Sequence, residues 1–503
     1  MVDITIHLTF GSGSTLLDMD DTRTAEPRGS WRELVGRTYA PVAAVLAGGV
    51  LLEASNVYLT TSLLPTIVDD IGGREFYAWT MTAFLVASVV SSMLVSRMLT
   101  TQGSVRAYLL AFAFFGLGSL IAALSPSMGV FLAGRAVQGL GGGLLAGLGY
   151  ALIQRSLPER LWAKGAALVS AMWGVGNLLG PAVGGMFGQL GEWRPAFGLL
   201  AALTVLLMIL VVTAIPRTER VPSSSAVPAV SLVLLTAAVS AVSVAGIMPT
   251  VAATVVVLVV GLALGAGFLL HERSAAAAVL PAITFARGSS LRWVYLTVGV
   301  LAFGIGTEAF IPLFGQELGH LTPLLAGFLG AALSFGWTVA QVFSANAQRA
   351  AAVRILVVGG PAVLAAGLLA YALLQSDQPA ALAVALWFVT LLVAGAGIGI
   401  AFPHLAVAAF GSVADDEEAA KASAGIAAKA SAGINTVFLI ASAFSAALAG
   451  VLVNLGEPSV LASARYLLVG FGLAAVLGVL PARAASRPAV GSTAERSTST
   501  AAT

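Results

Sequence analysis

Three ionisable residues stand inside stretches otherwise composed for lipid: Arg135 in VFLAGRAVQGLGGGLLAGLGYALI, Glu53 in LLEASNVYLTT and Glu308 in GIGTEAFIPLF. A bare charge at such a depth costs about 3 kcal/mol or more, so each must face a partner or a water-filled cavity. A carboxyl group in that setting holds or releases its proton according to its hydration and the charge beside it, which is the chemistry a proton-coupled carrier requires. Glu53, Asn56 and Thr60 share one helical face by their three- and four-residue spacing, and Arg135 and Gln138 share another. Glu53 falls about 12 residues from one end of its segment and Arg135 about six from the opposite end of its own, placing both roughly 9–12 Å below the same boundary of a ~30 Å core. A Glu53–Arg135 pair is geometrically allowed, as a coupling unit or as a fixed bridge between two helices. Glu308 reads either as a counter-charge for a cationic substrate or as a satisfied polar residue.

The elements that hold these residues follow from composition. The chain has 503 residues, of which 58% are hydrophobic and only 10% charged, and its mean hydropathy is +0.96. That balance excludes a soluble domain and describes an all-α polytopic membrane protein. Apolar runs of at least ~17 residues occur at 39–64, 78–99, 107–126, 129–153, 165–190, 195–215, 227–247, 250–270, 292–314, 323–344, 354–375, 380–408, 425–453 and 462–482. These are spans 1 to 14. An even number puts both termini on one side, and the basic residues choose the side. With the N-terminus inside, 21 of the 25 Lys and Arg are cytoplasmic, Arg74, Arg194 and Arg465 lie outside, and Arg135 lies in the membrane.

The polar breaks at Pro216–Pro228 and His271–Leu291 divide the spans six, two and six. The expected organisation is a cytoplasmic tail at 1–38, a six-helix bundle at 39–215, two extra helices at 227–270, a second six-helix bundle at 292–482 and a tail at 483–503. The N-terminal tail lacks a signal-peptide pattern, so span 1 is expected to remain as an uncleaved anchor. A tandem repeat, AAKASAGI at 419–426 and again at 427–434, reads as a tolerated duplication at a cytoplasmic helix end.

Other chemistry is limited. There is no cysteine, hence no thiolate metal site, and no GxxxxGK[ST] loop for hydrolysing ATP. No cofactor and no enzymatic activity are expected. A net charge of +2 without basic clusters gives no reason to expect nucleic acid. Asn177, and in span 10 Trp337, Thr338 and Gln341 with Ser334, are candidates for a cavity wall or for interhelical packing. His404, near the end of span 12, reads as a satisfied interfacial histidine ahead of a proton relay. Gly176, Gly180, Gly184 and Gly188 recur every fourth residue and open one face of span 5 to close backbone contact.

These segments carry a family resemblance. GRAVQGLGGG resembles the helix 4 motif of the major facilitator superfamily, GNLLGPAVGG resembles its helix 5 antiporter motif, and EWRPAF is similar to its entry to helix 6. FGQELGHLTPLLAGF is similar to the corresponding turn of the 14-helix drug:proton antiporters. The resemblance covers most of 39–482. It implies a major facilitator fold of two six-helix bundles plus two additional central transmembrane helices, rocking about a central cavity. It also implies Arg135 at the coupling position and Gly180, Pro181, Gly184 and Gly185, with Gly176, limiting leak. Two places depart from the family pattern: Asn56 stands where helix 1 usually carries a second acid, and SRMLTTQGSVR lacks the acid of the loop between helices 2 and 3.

The resulting expectation is a proton-coupled exporter of amphipathic or cationic small molecules, monomeric, in a bacterial plasma membrane. A metabolite importer or facilitator of the same fold, or a transport-inactive sensor or scaffold, are the alternatives. A reporter active only outside the cytoplasm, fused to the C-terminus, should be silent, whereas one active only inside should work. The opposite result would overturn the count of 14 spans and the depth assigned to Glu53.

Overall fold

The computed structural model describes residues 30–215, 227–275, 277–286, 288–411 and 420–486. Most of the two expected tails, most of the Pro/Ser-rich stretch after span 6, Arg287 and the first residue of the tandem repeat lie outside the described residues. Among the described residues thirteen helices are long and apolar enough to cross a membrane, and a bent pair, Arg74–Ser92 with Val95–Thr101, makes a fourteenth span. The helix of span 13, Ala420–Asn454, runs through the rest of the repeat.

Three spans differ from their expected form. Span 1, Ala40–Ile71, is 32 residues long and continues past Pro65. Span 2 bends by 47° near Ser91 and Ser92, whose hydroxyls donate back to Ser88 O and Val89 O and so compete with the helical ladder. Span 9 breaks into Leu291–Thr307 and Ile311–Glu317, with Glu308, Ala309 and Phe310 between them. Pro312 has no N–H to donate to the carbonyl four residues before it, which is that of Glu308.

The packing repeats itself. In the first half span 1 lies on span 5, span 2 on span 4, and span 3 on spans 4 and 6. In the second half span 9 lies on span 13, span 10 on span 12, and span 11 on spans 12 and 14, which is the same pattern eight spans along, past the two extra helices. Spans 7 (Ala229–Gly246) and 8 (Val251–Glu272) pack on each other, and span 7 flanks the seam between the halves by touching spans 2 and 13.

The halves are locked at one end of the bundle. Gly176, Gly180 and Gly184 of span 5 (Glu159–Gln189) face span 1: a Cβ on each would lie 2.4 Å from Ala54 Cβ, 2.6 Å from Tyr58 Cβ and 2.7 Å from Leu59 O. Gly185, on the adjoining face, serves the other half, since a Cβ there would lie 2.5 Å from Leu324 Cα of span 10 (Pro323–Ser344). A Cβ on Gly327 of span 10 would likewise fall 2.6 Å from Ser62 Oγ and 3.4 Å from Pro181 Cβ. Beyond these contacts Arg74 reaches Glu317 at 2.9 Å and Glu457 at 3.9 Å, and the rings of Tyr77 and Phe310 stack at 4.9 Å.

Because the chain has no cysteine, a single introduced thiol reports this closure. In a Ser62→Cys background, Gly185→Val should speed thiol labelling at position 62 while leaving the fold intact. Gly143→Val, which puts a side chain where a Cβ already lies 2.1 Å from Ser88 O, should instead lower the melting temperature. Unchanged labelling with Gly185→Val would mean that the seam is not held by this contact.

Candidate functional site

Arg135 sits on span 4, Met128–Ser156, with 0% of its surface exposed. Its Nη1 donates to Asn56 Oδ1 at 3.0 Å and to Gln138 Oε1, and its Nε donates to Thr80 O at 3.3 Å. The Phe84 ring lies 4.5 Å from Cζ, a cation–π contact within a desolvated site. Gln138 Nε2 donates to Ser119 Oγ at 2.7 Å, and Thr60 Oγ1 donates to Asn56 Oδ1 at 3.3 Å. Spans 1, 2 and 3 therefore each send a group to the Arg135 network. Small residues make that reach possible. A Cβ on Gly139 would lie 2.2 Å from Phe84 O, and one on Gly118 2.3 Å from Gln138 N.

Glu53 is buried beside this network without joining it. The direct pair that the sequence allows is not formed, because Asn56, one turn further along span 1, takes the guanidinium instead. Oε2 of Glu53 and Nδ2 of Asn56 have no hydrogen-bond partner. The two sites are nonetheless neighbours: a Cβ on Gly142 would touch Phe84 Cζ at 2.8 Å and Glu53 Cγ at 3.7 Å. Gly142 thus lies against both the ring that covers Arg135 and the Glu53 side chain.

Glu308, at the break in span 9, is buried and forms a second network. Ser334 Oγ donates to Glu308 Oε1 at 2.5 Å, and Tyr58 OH donates to Ser334 Oγ at 2.8 Å. Since Tyr58 belongs to span 1, this chain of hydrogen bonds crosses from one half to the other. Sequence reasoning did not single out Tyr58. The available signal was a phenol in the middle of a membrane segment, whose hydroxyl needs a partner when buried.

The remaining candidates are spread out. Asn177 is buried on span 5 with Oδ1 unpartnered. Trp337 packs 5.5 Å from both Phe402 and Phe438, and Thr338 donates to Ser334 O of its own helix at 2.9 Å. Gln341 is half-buried one turn further on. Trp337 Nε1 has no hydrogen-bond partner. His404 Nε2 lies 2.9 Å from Ser344 Oγ.

Two repeated six-helix halves closed over buried charge define a membrane transporter. The chain matches the Major Facilitator Superfamily over residues 46–428 and belongs to that family. It is 47% identical over 467 residues to a probable multidrug-efflux transporter of Mycobacterium tuberculosis, covering 91% of this chain and 97% of that protein. It is also 23% identical to a multidrug efflux pump of Staphylococcus aureus, over 57% of this chain and 64% of that one. Among solved structures, a POT family transporter in complex with 5-aminolevulinic acid superposes with a TM-score of 0.62 at 15% identity, over 87% of this chain and 94% of the other. A D-xylose–proton symporter does so with a TM-score of 0.59 at 16% identity, over 88% and 97%. These two show the shared fold.

The network assigns Asn56 as an acceptor for a buried cation. Asn56→Leu should destabilise the protein by about 1–3 kcal/mol, the cost of leaving such a donor unmet. Asn56→Asp keeps an acceptor and should lose less. Melting temperatures in detergent check this, and an Asn56→Leu protein as stable as the parent would contradict it.

Proposed function

We propose that this transporter exports amphipathic or cationic small molecules in exchange for protons, by alternating access. The observation that carries the reading is a carboxyl group in each half, both buried at membrane depth: Glu53 beside the Arg135 network and Glu308 on the hydrogen-bond chain across the seam. The relative described as a multidrug-efflux transporter supports the direction and the substrate class.

In this reading Glu53 is the proton site. Arg135 is already satisfied by neutral groups, so it biases the neighbouring carboxyl without cancelling its charge. Proton uptake and release at Glu53 then follow hydration as the cavity opens to one side or the other. Glu308 is the counter-charge for a cationic substrate, which would otherwise be buried unpaired at high cost. A cation reaching Glu308 competes with Ser334 for the carboxylate, and so loosens the bond by which Tyr58 joins the halves. Asn56, Thr60, Gln138, Asn177, Trp337, Thr338 and Gln341 belong to the walls of the cavity once the halves part. Gly176, Gly180, Pro181, Gly184 and Gly185 seal the opposite state. The protein acts as a monomer in the bacterial plasma membrane, both termini cytoplasmic, with 39–215 and 292–482 moving as bundles and 227–270 flanking them.

Glu53→Gln should abolish gradient-driven efflux in intact cells while leaving folded protein in the membrane. Glu308→Gln should weaken export of dicationic substrates roughly tenfold, a loss of about 1.4 kcal/mol, and largely spare neutral ones. Normal gradient-dependent efflux with Glu53→Gln would reduce that residue to a structural role. Uniform loss for every substrate with Glu308→Gln, together with loss of substrate-induced proton movement, would make Glu308 a coupling residue.

A further inference from the structure

A groove of about 510 Å³ opens where span 11 meets the C-terminal helix, lined by Arg354, Ile355, Val358, Gly359 and Arg483. Span 11 is Ala350–Leu374 and the C-terminal helix is Val479–Ala485. Both arginines lie at the end of the bundle opposite Arg74, because span 10 starts beside the Arg74 end and span 11 returns from the other. The floor of the groove is apolar and faces outward. Ile355 is 71% exposed, and a Cβ on Gly359 would meet no atom within 4 Å. The rim is cationic and uncompensated. Neither Arg354 nor Arg483 pairs with a carboxylate among the described residues. Arg349 stands at the N-cap position of span 11 without a side-chain capping hydrogen bond, and Arg354 follows just beyond the first turn, which carries no acidic residue. Cations there oppose the positive end of the helix dipole, so an anion at this position would relieve two unfavourable terms together.

We propose that this groove is a binding site for an anionic phospholipid. The phosphate sits between the Arg354 and Arg483 guanidiniums, whose planar forks suit phosphate oxygens, and an acyl chain lies along Ile355 and Val358 and over Gly359. The apolar floor at the membrane boundary favours a lipid phosphate over a free one, and the charge favours an anionic headgroup over a zwitterionic one.

The test is lipid retention by the purified full chain. Protein from nanodiscs of phosphatidylglycerol and phosphatidylcholine is released into detergent, and bound lipid is counted by native mass spectrometry. The parent should retain phosphatidylglycerol. Retention should fall roughly tenfold in the double variant Arg354→Gln/Arg483→Gln and also in Gly359→Leu, which fills the floor and keeps both charges. Arg106→Gln, at the same end of the bundle but outside the groove, should retain it. Melting temperatures identify any variant that fails to fold, and Gly359→Ile then replaces Gly359→Leu or Arg483→Gln alone replaces the double variant. Equal retention in all variants would mean non-specific annular lipid and overturn the site. Loss in only one of the two groove variants would overturn the combined headgroup-and-chain site, and displacement of the lipid by millimolar inorganic phosphate would assign the arginines to a free anion.

Discussion

A guanidinium without exposure to water constrains the first half of the molecule more than any other group. Arg135 must be met by acceptors at membrane depth, and three helices have to come close enough to supply or support them. Span 1 brings Asn56, span 2 brings Thr80 O and the Phe84 ring, and span 3 steadies Gln138 through Ser119. The helices approach that closely because small residues stand at the crossings, as at Gly118 and Gly139. The glycine content of spans 3 and 4 and the buried Arg135 are thus two parts of one arrangement. The partners are all neutral, which leaves Glu53 beside a cation that it does not pair with.

The second constraint is the seam. Its closed end is built in layers: ion pairs from Arg74 at the surface, stacked rings of Tyr77 and Phe310 below, then Gly185 against Leu324, Gly327 against Ser62, and the Tyr58–Ser334–Glu308 chain. Span 5 serves both sides of this layer, with Gly176, Gly180 and Gly184 on span 1 and Gly185 on span 10. A helix with small residues on two adjoining faces can stay fixed to its own half while the other half slides away. A single buried hydrogen bond contributes about 1 kcal/mol, so the Tyr58 link can bias the seam and, in the function proposed above, is weak enough to be exchanged for a substrate contact.

Much of this was legible in the sequence because a charge in an apolar segment has few explanations. Arg135, Glu53 and Glu308 stood out on that ground, and the six-two-six division followed from polar breaks. The partners were harder. Tyr58 and Ser334 lie 276 residues apart and bond across the seam; Ser334 was legible only as part of a polar face of span 10, and hydroxyls are common enough in membrane helices that Tyr58 did not stand out. Thr80 serves through its backbone carbonyl, which no side-chain pattern reveals. The replacement of a Glu53–Arg135 bridge by Asn56 depends on one turn of helical offset, finer than a depth estimate from segment ends resolves. The break in span 9 was foreshadowed by Pro312, whereas the bend in span 2 arises from serine hydroxyls turned back on their own helix.

In the function proposed here, substrate movement and proton movement are one process. Purified protein in proteoliposomes loaded with a pH-sensitive dye, given a cationic substrate on one side and no imposed gradient, tests it most directly. Proton flux should run opposite to the substrate, starting with its addition and stopping when the substrate gradient is spent. Substrate flux at full rate with no proton flux would contradict it.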